Sequence, residues 1–198
     1  MTNRKAFLIG AVSHKGIYGL GRGAEGKIPW KSKLDMNFFT EITKGTGKHG
    51  QNDVAMSRGM WLALPEKYRP LPGRGNVVIT SNTAFQLSEI HKANHVRIAR
   101  SVQEAQEISQ AGELYFAGGQ DVWLNAQDVA DELLINVVNV EVNPLSEDGT
   151  LQEIVYFDHL LDPTILWPEF VLTEKRIETE IKKDGTSFDI EFRRYVRQ

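Results

Sequence analysis

The sequence predicts an α/β fold: a central, mainly parallel, twisted sheet flanked by helices and closed by an antiparallel C-terminal hairpin. Two patterns lead there. Short apolar runs alternate with stretches of helical periodicity along most of the chain. Near the end, Asp184-Gly185 separates two β-patterned runs, Phe170 to Ile181 and Phe188 to Val196, and reads as a two-residue hairpin turn. Length agrees: 198 residues suit one domain. With no repeat, low-complexity segment or clear linker, 1–198 is read as a single domain with enlarged loops around 44–52 and 143–168.

The elements follow in order. Arg4 to Val12 is short, largely apolar and bounded by Ser13-His14-Lys15-Gly16, as expected of a buried strand. A loop with glycines at 16, 19, 21, 23 and 26 leads to Ile28-Pro29-Trp30. Ser32 then starts a helix to about Thr43, with Leu34, Phe38, Phe39 and Ile42 on or near one face. Next come strand Asp53 to Met56, helix Arg58 to Leu64, strand Asn76 to Thr80, a short strand near Val96 and helix Val102 to Gln110. Strand Glu113 to Ala117, a helix after Gly118-Gly119 and a long strand Leu133 to Val142 complete the pattern.

Composition excludes several classes. The formal charge is -3, no apolar run approaches the roughly 18 residues of a membrane span, and the N-terminus carries no cleavage-site pattern. There is no cysteine, so disulfides, thiol nucleophiles and cysteine-ligated metals are excluded and a cytoplasmic location is expected. Residues 1–76 hold 13 basic and 5 acidic side chains, while the remainder hold 10 and 21. That asymmetry suits either a polyanion site or a solvated distribution that evens out in space. Nucleic acid is disfavoured, because the basic residues form no dense cluster and no aromatic platform accompanies them.

Two glycine motifs lack their usual context. Gly21 to Gly26 matches G-x-G-x-x-G, and Gly21 to Lys27 matches a phosphate loop up to its lysine. Ile28 replaces the magnesium-binding hydroxyl, and Pro29 keeps its neighbour out of helical geometry. The segment reads instead as a lid beside the first strand. His91 and His95 are four apart, but no third ligand accompanies them; they are read as surface residues, and no metal site is expected.

Three segments in order carry more information. They are Ile28-Pro29-Trp30-Lys31-Ser32-Lys33-Leu34-Asp35-Met36-Asn37-Phe38-Phe39; Met56-Ser57-Arg58-Gly59-Met60-Trp61 with Arg69-Pro70-Leu71-Pro72-Gly73-Arg74 and Asn76 to Ser81; and Phe116-Ala117-Gly118-Gly119-Gln120-Asp121-Val122-Trp123. On spacing alone, Ser32-x-x-Asp35 resembles a capping box, with the acid bonding back to the helix start. The same acid lies among Leu34, Met36, Phe38 and Phe39, so it can equally project into an apolar cleft. Taken together, the segments resemble the dihydrofolate reductase family, over about 130 residues from the first strand to the strand around Asn136.

The resemblance implies a dihydrofolate reductase-like fold and reduction of dihydrofolate with NADPH. It makes Asp35 the catalytic acid that grips the pterin. Ile9, Ala11, Met36, Phe39, Leu64, Leu71, Arg74, Ala117 and Asn136 become substrate-site residues, with Arg74 on the folate α-carboxylate. The cofactor positions become Ala11, Leu20, Arg58, Gly59, Met60, Thr80, Ser81, Gly118, Gly119, Gln120, Val122 and Trp123. It also implies a cis bond at Gly118-Gly119, possible inhibition by antifolates, and a monomer or homodimer without membrane or nucleic-acid partners. Departures from the family pattern are Ser57 for glycine, Met60 for threonine, Ala117 for a larger aliphatic, Asp121 for a basic or neutral residue, Trp123 for tyrosine and Asn136 for threonine. Two other readings stay open: a catalytically weak folate- or nucleotide-binding protein of this fold, and a pyrimidine reductase of riboflavin synthesis.

Overall fold

The sheet grows outward from the apolar run that opens the chain. A computed structural model describes residues 4–21, 26–45, 52–146 and 148–198. The predicted lid over 22–25 and most of the 44–52 connection lie outside the described residues. Strand β1 (Lys5–Ser13) pairs in parallel with β6 (Glu113–Phe116) on one side and β7 (Glu132–Val138) on the other. Beyond β6 lie β3 (Asp53–Ser57), β4 (Gly75–Ile79) and β5 (Arg97–Ala99), all parallel. Beyond β7 the antiparallel hairpin of β9 (Phe170–Ile181) and β10 (Ser187–Arg197) closes the sheet. The order is β5-β4-β3-β6-β1-β7-β10-β9, eight strands among the described residues.

Period-two alternation divides the core. Phe7 and Ile9 of β1, Val54 and Met56 of β3, and Leu134 of β7 pack with Phe38, Phe39 and Ile42 of α1 (Lys33–Lys44) and Trp61 of α2 (Arg58–Ala63). Their alternates, including Ala6, Ala55, Leu114 and Phe116, face α4 (Val102–Ile108) and α5 (Gln120–Ala126). Full burial of each such side chain is worth roughly 1.5–3 kcal/mol, so both layers hold the sheet against its helices. A short α3 (Glu89–Ala93) lies before β5. There His91 stacks edge-on against Trp61 and meets the Ser88 hydroxyl, and no group of three potential metal ligands occurs among the described residues.

The structure corrects four boundaries. The hairpin turn is not two residues long: Lys182 N donates to Thr186 O across Lys183-Asp184-Gly185, with Gly185 at φ 84°. That is the three-residue loop whose last position favours glycine. The helix predicted to reach Gln110 ends at Ile108, because the Ser109 hydroxyl and the Gln110 N–H both turn to the buried Asp53 carboxylate. Strand β7 stops at Val138, where pairing with β10 ends and Val140 N bonds back to Val138 O. The 143–168 segment is more than a loop. It holds β8 (Ile154–Tyr156), which pairs with β2 (Ile17–Leu20), and it buries Phe157, Leu160 and Trp167 against Leu8, Val12 and Ile135.

Candidate active site

A crevice opens where β6 stops and β1 continues. Strand β6 reaches only Phe116, opposite Leu8, whereas β7 follows β1 as far as Ser13. Beyond Leu8, the carboxyl half of β1 therefore has a strand neighbour on one side only, which is the kind of place where ligands bind in open α/β sheets. Ala11 pairs with Asn136 on its covered side, and Ala117 follows the end of β6 on its open side.

Asp35 enters this crevice from α1. Ser32 caps the helix, and its Oγ accepts from Asp35 N at 3.0 Å, the first half of the predicted capping box. Among the described residues the reciprocal half is not formed. The Asp35 carboxylate instead accepts from Trp30 Nε1 at 3.0 Å on Oδ2 and from Asn136 Nδ2 at 2.7 Å on Oδ1. Only 6% of Asp35 is exposed. Burial pushes its carboxyl above the usual carboxylate range, the Trp30 and Asn136 bonds oppose that rise, and nearby Glu180 adds to it. Asn136 Oδ1 is buried without a hydrogen-bond partner, an omission that typically costs about 1–3 kcal/mol. The pair thus presents carboxylate oxygens beside an unsatisfied acceptor, a surface suited to a ligand edge rich in N–H groups.

The neighbouring wall is apolar and leads to a cation. Ile9 is buried, Phe39 and Leu64 pack on the same core, and Leu71 is held by paired bonds with the Asn76 amide. Met36, also predicted to line the site, is 51% exposed on α1. Arg74 is buried, with its guanidinium donating to Thr43 Oγ1 at 2.7 Å and to Pro72 O at 3.2 Å, and lying over the Phe39 ring. Among the described residues no carboxylate pairs with it. Burial lowers its pKa. A buried fork with neutral partners is well matched to an incoming carboxylate.

The other half of the predicted site collects at the carboxyl ends of β3 to β6. Arg58 is exposed at the start of α2. Thr80 follows β4 and its Oγ1 accepts from Asn82 N, with exposed Ser81 between them. Arg100, which sequence reading missed, follows β5 and donates to the carbonyls of Thr80 and Asn82, so it flanks Ser81. Its signal was only its position after a strand, shared by many arginines. The Gly118–Gly119 bond is cis, as expected. Gly118 has φ 105°, and a Cβ there would come within 2.8 Å of Trp123, so glycine is required.

Ser57 joins the two glycine-bearing turns. Its Oγ accepts from Met60 N at 3.1 Å and from Gly119 N at 3.0 Å, and its own N donates to Gly118 O. Gly59 and Met60 lie in the first turn of α2, and Gln120 opens α5. Leu20 is buried on β2. Trp123 is buried, stacks on Phe157 and donates from Nε1 to Ile9 O at 3.0 Å. Val122 packs into the core with Ala55 and Val77. A groove of about 660 Å³ between α1 and the hairpin, lined by Phe38, Ile42, Phe192 and Arg176, contains none of the predicted site residues.

The comparisons with known proteins bear on this arrangement. The family model described as dihydrofolate reductase matches residues 7–154. The chain belongs to the dihydrofolate reductase family. The matched span includes each predicted site residue from Ile9 to Asn136. The chain is 32% identical over 176 residues to a bifunctional dihydrofolate reductase-thymidylate synthase of Glycine max, covering 85% of this chain and 31% of that protein. Its similarity to the corresponding protein of Daucus carota is 31% over 162 residues, covering 80% and 30%. A dihydrofolate reductase of Saccharomyces cerevisiae is 28% identical over 139 residues, covering 66% of this chain and 63% of that protein. The chain therefore spans about a third of the length of the bifunctional relatives it matches. No helix among the described residues is long and apolar enough to cross a membrane.

Proposed function

We propose that this chain reduces 7,8-dihydrofolate to 5,6,7,8-tetrahydrofolate with NADPH. The observation that carries the reading is the buried Asp35–Asn136 pair. Asp35 bonds to Trp30 and Asn136 and keeps acceptor capacity for the N3–H and 2-amino group of a pterin, while Asn136 Oδ1 lacks a donor. Charge-assisted bonds of this kind are worth about 1.5–3 kcal/mol each. Arg74 would take the α-carboxylate of the glutamate tail, with Ile9, Phe39, Leu64 and Leu71 along the rings between. Antifolates with the same donor edge would compete there.

The residues on the other side fit a phosphorylated dinucleotide. Arg58 and Arg100 bring two cations to the ends of β3 and β5, with the exposed Ser81 hydroxyl beside Arg100. The Gly118–Gly119 turn brings bare backbone to the crevice, since among the described residues a Cβ at Gly119 would meet Ser57 Oγ and the Tyr18 hydroxyl at no less than 3.8 and 3.9 Å. When bound, NADPH supplies the hydride that adds to C6. Asp35 holds the pterin and favours protonation of N5 through water, so that the acceptor is an iminium. Because the reaction needs a proton at N5, turnover should fall as pH rises, and because the Asp35 pKa is raised, binding of dihydrofolate should weaken as pH falls through it and the carboxyl protonates.

Dihydrofolate-dependent oxidation of NADPH by the wild-type chain and by Asp35→Asn tests the proposal. The variant should lose at least about a hundredfold in kcat and retain NADPH binding. Near-normal turnover in Asp35→Asn would remove Asp35 from the chemistry. Binding of both ligands by the wild-type chain without oxidation would make it a binding protein of this family.

A further inference from the structure

We propose that Glu180 is a positioning residue for Asp35: reaching across from β9, its carboxylate holds the first turn of α1, from which Asp35 projects into the crevice, and places a like charge beside it. The inference rests on the role given to Asp35 above. Glu180 lies outside the matched family span and comes from β9, where it pairs with Phe188 of β10.

The geometry is specific. Glu180 Oε2 accepts from Ser32 Oγ at 2.5 Å and from Leu34 N at 3.1 Å, and Oε1 accepts from Lys33 N at 3.0 Å. A helix start has four backbone N–H groups without intrahelical partners. Here Glu180 satisfies two of them, and Ser32 Oγ satisfies that of Asp35. The single Ser32 hydroxyl thus links both carboxylates, accepting from Asp35 N and donating to Glu180. These bonds tie the first turn of α1, from which Asp35 projects, to β9.

Charge couples the two carboxylates as well. Glu180 is the charged group that raises Asp35 by proximity, while the contacts from the loop and from β7 come from Trp30 and Asn136, which do not titrate in the relevant range. Burial opposes ionisation of Glu180, but the bonds from Ser32, Lys33 and Leu34, with the Lys33 charge, hold it below the usual glutamate range. Glu180 therefore stays ionised where Asp35 titrates.

The test is the carboxyl titration of Asp35, followed by NMR in the unliganded protein, in the wild type, Glu180→Gln and Ser32→Ala. Loss of the like charge should lower the Asp35 midpoint by about 0.5 to 1 pH unit in Glu180→Gln. Ser32→Ala keeps the charge and should lower Tm while leaving the Asp35 midpoint in place. Where the chain turns over, the pH below which the KM for dihydrofolate rises should move down by the same amount in Glu180→Gln only. An unchanged Asp35 midpoint in Glu180→Gln, or equal shifts in both variants, would overturn the proposal. Should Glu180→Gln not fold, Glu180→Thr removes the same charge with a residue suited to an edge strand. Because the titration needs neither dihydrofolate nor NADPH, a wild-type chain without reductase activity would fail the functional reading and leave this result standing.

Discussion

The two halves of the crevice are built differently. On the side proposed for the pterin the polar groups are buried and placed by regular elements: Asp35 by α1, Asn136 by β7, and Arg74 just before β4. On the side proposed for the cofactor they sit on turns at the ends of short strands, with Arg58, Ser81 and Arg100 exposed to solvent. The first design would fix an edge of a ligand at the cost of desolvating the protein's own groups, burial pushing the Asp35 carboxyl up and the Arg74 guanidinium down. The second leaves its charges hydrated, so that they would attract a phosphate at little cost to the fold. The contrast makes stability and binding separable by mutation: changes on the buried side should move both, and changes on the exposed side should move binding alone.

Arg74 should give the largest effect of that kind. Arg74→Leu removes a buried cation that has only neutral hydrogen-bond partners, so the Tm of the unliganded protein should rise by a few degrees. Affinity for dihydrofolate should nevertheless fall about a hundredfold, the loss expected when a charge-assisted bidentate contact of roughly 2–3 kcal/mol disappears. Parallel thermal melts and steady-state kinetics decide this. A drop in Tm together with an unchanged KM would show that Arg74 is structural and that the two halves do not differ as described.

Arg58 probes the opposite half. Arg58→Gln should leave Tm within about a degree, because the side chain is exposed. The KM for NADPH should rise about five- to tenfold at low salt, and the difference from wild type should shrink as ionic strength increases. KM for NADH, which lacks the 2'-phosphate, should change little. An equal loss with NADH would place Arg58 elsewhere than beside that phosphate.

The same contrast explains what was legible in the sequence. The parallel strands, α1 and the hairpin were visible because period-two and period-3.6 patterns are local. β2 and β8 were not: at four and three residues neither establishes a period, and each is defined by a partner far along the chain. Among site residues, Asp35 stood out through the family resemblance, whereas its spacing from Ser32 alone described a capping box. The structure shows both meanings in part, because Ser32 accepts from Asp35 N while the carboxylate faces Asn136. Glu180 and Arg100 could not be singled out, since one is an acid in a charged edge strand and the other an arginine after a three-residue strand. Their roles come from tertiary contacts alone. The charge asymmetry of the chain is likewise resolved by place: what distinguishes Arg74 from Arg97 or Arg194 is the absence of a carboxylate partner among the described residues.

Ser57 lies where the halves meet, and it should give the smallest effect. Its hydroxyl ties the start of α2 to the Gly118–Gly119 turn by accepting from Met60 N and Gly119 N. Ser57→Gly restores the residue usual in the family and frees both N–H groups. Loss of the cap should lower stability by about 1 kcal/mol or less, because glycine is itself tolerated at a helix N-cap. Freeing the Gly119 N–H gives the crevice one more backbone donor at the turn, so affinity for NADPH should rise by about two- to threefold as stability falls. Chemical denaturation and cofactor titration on the same variant measure the two changes. If both fall together, Ser57 supports the cofactor side as a scaffold, and the exposed half depends on buried hydrogen bonds more than its arginines suggest.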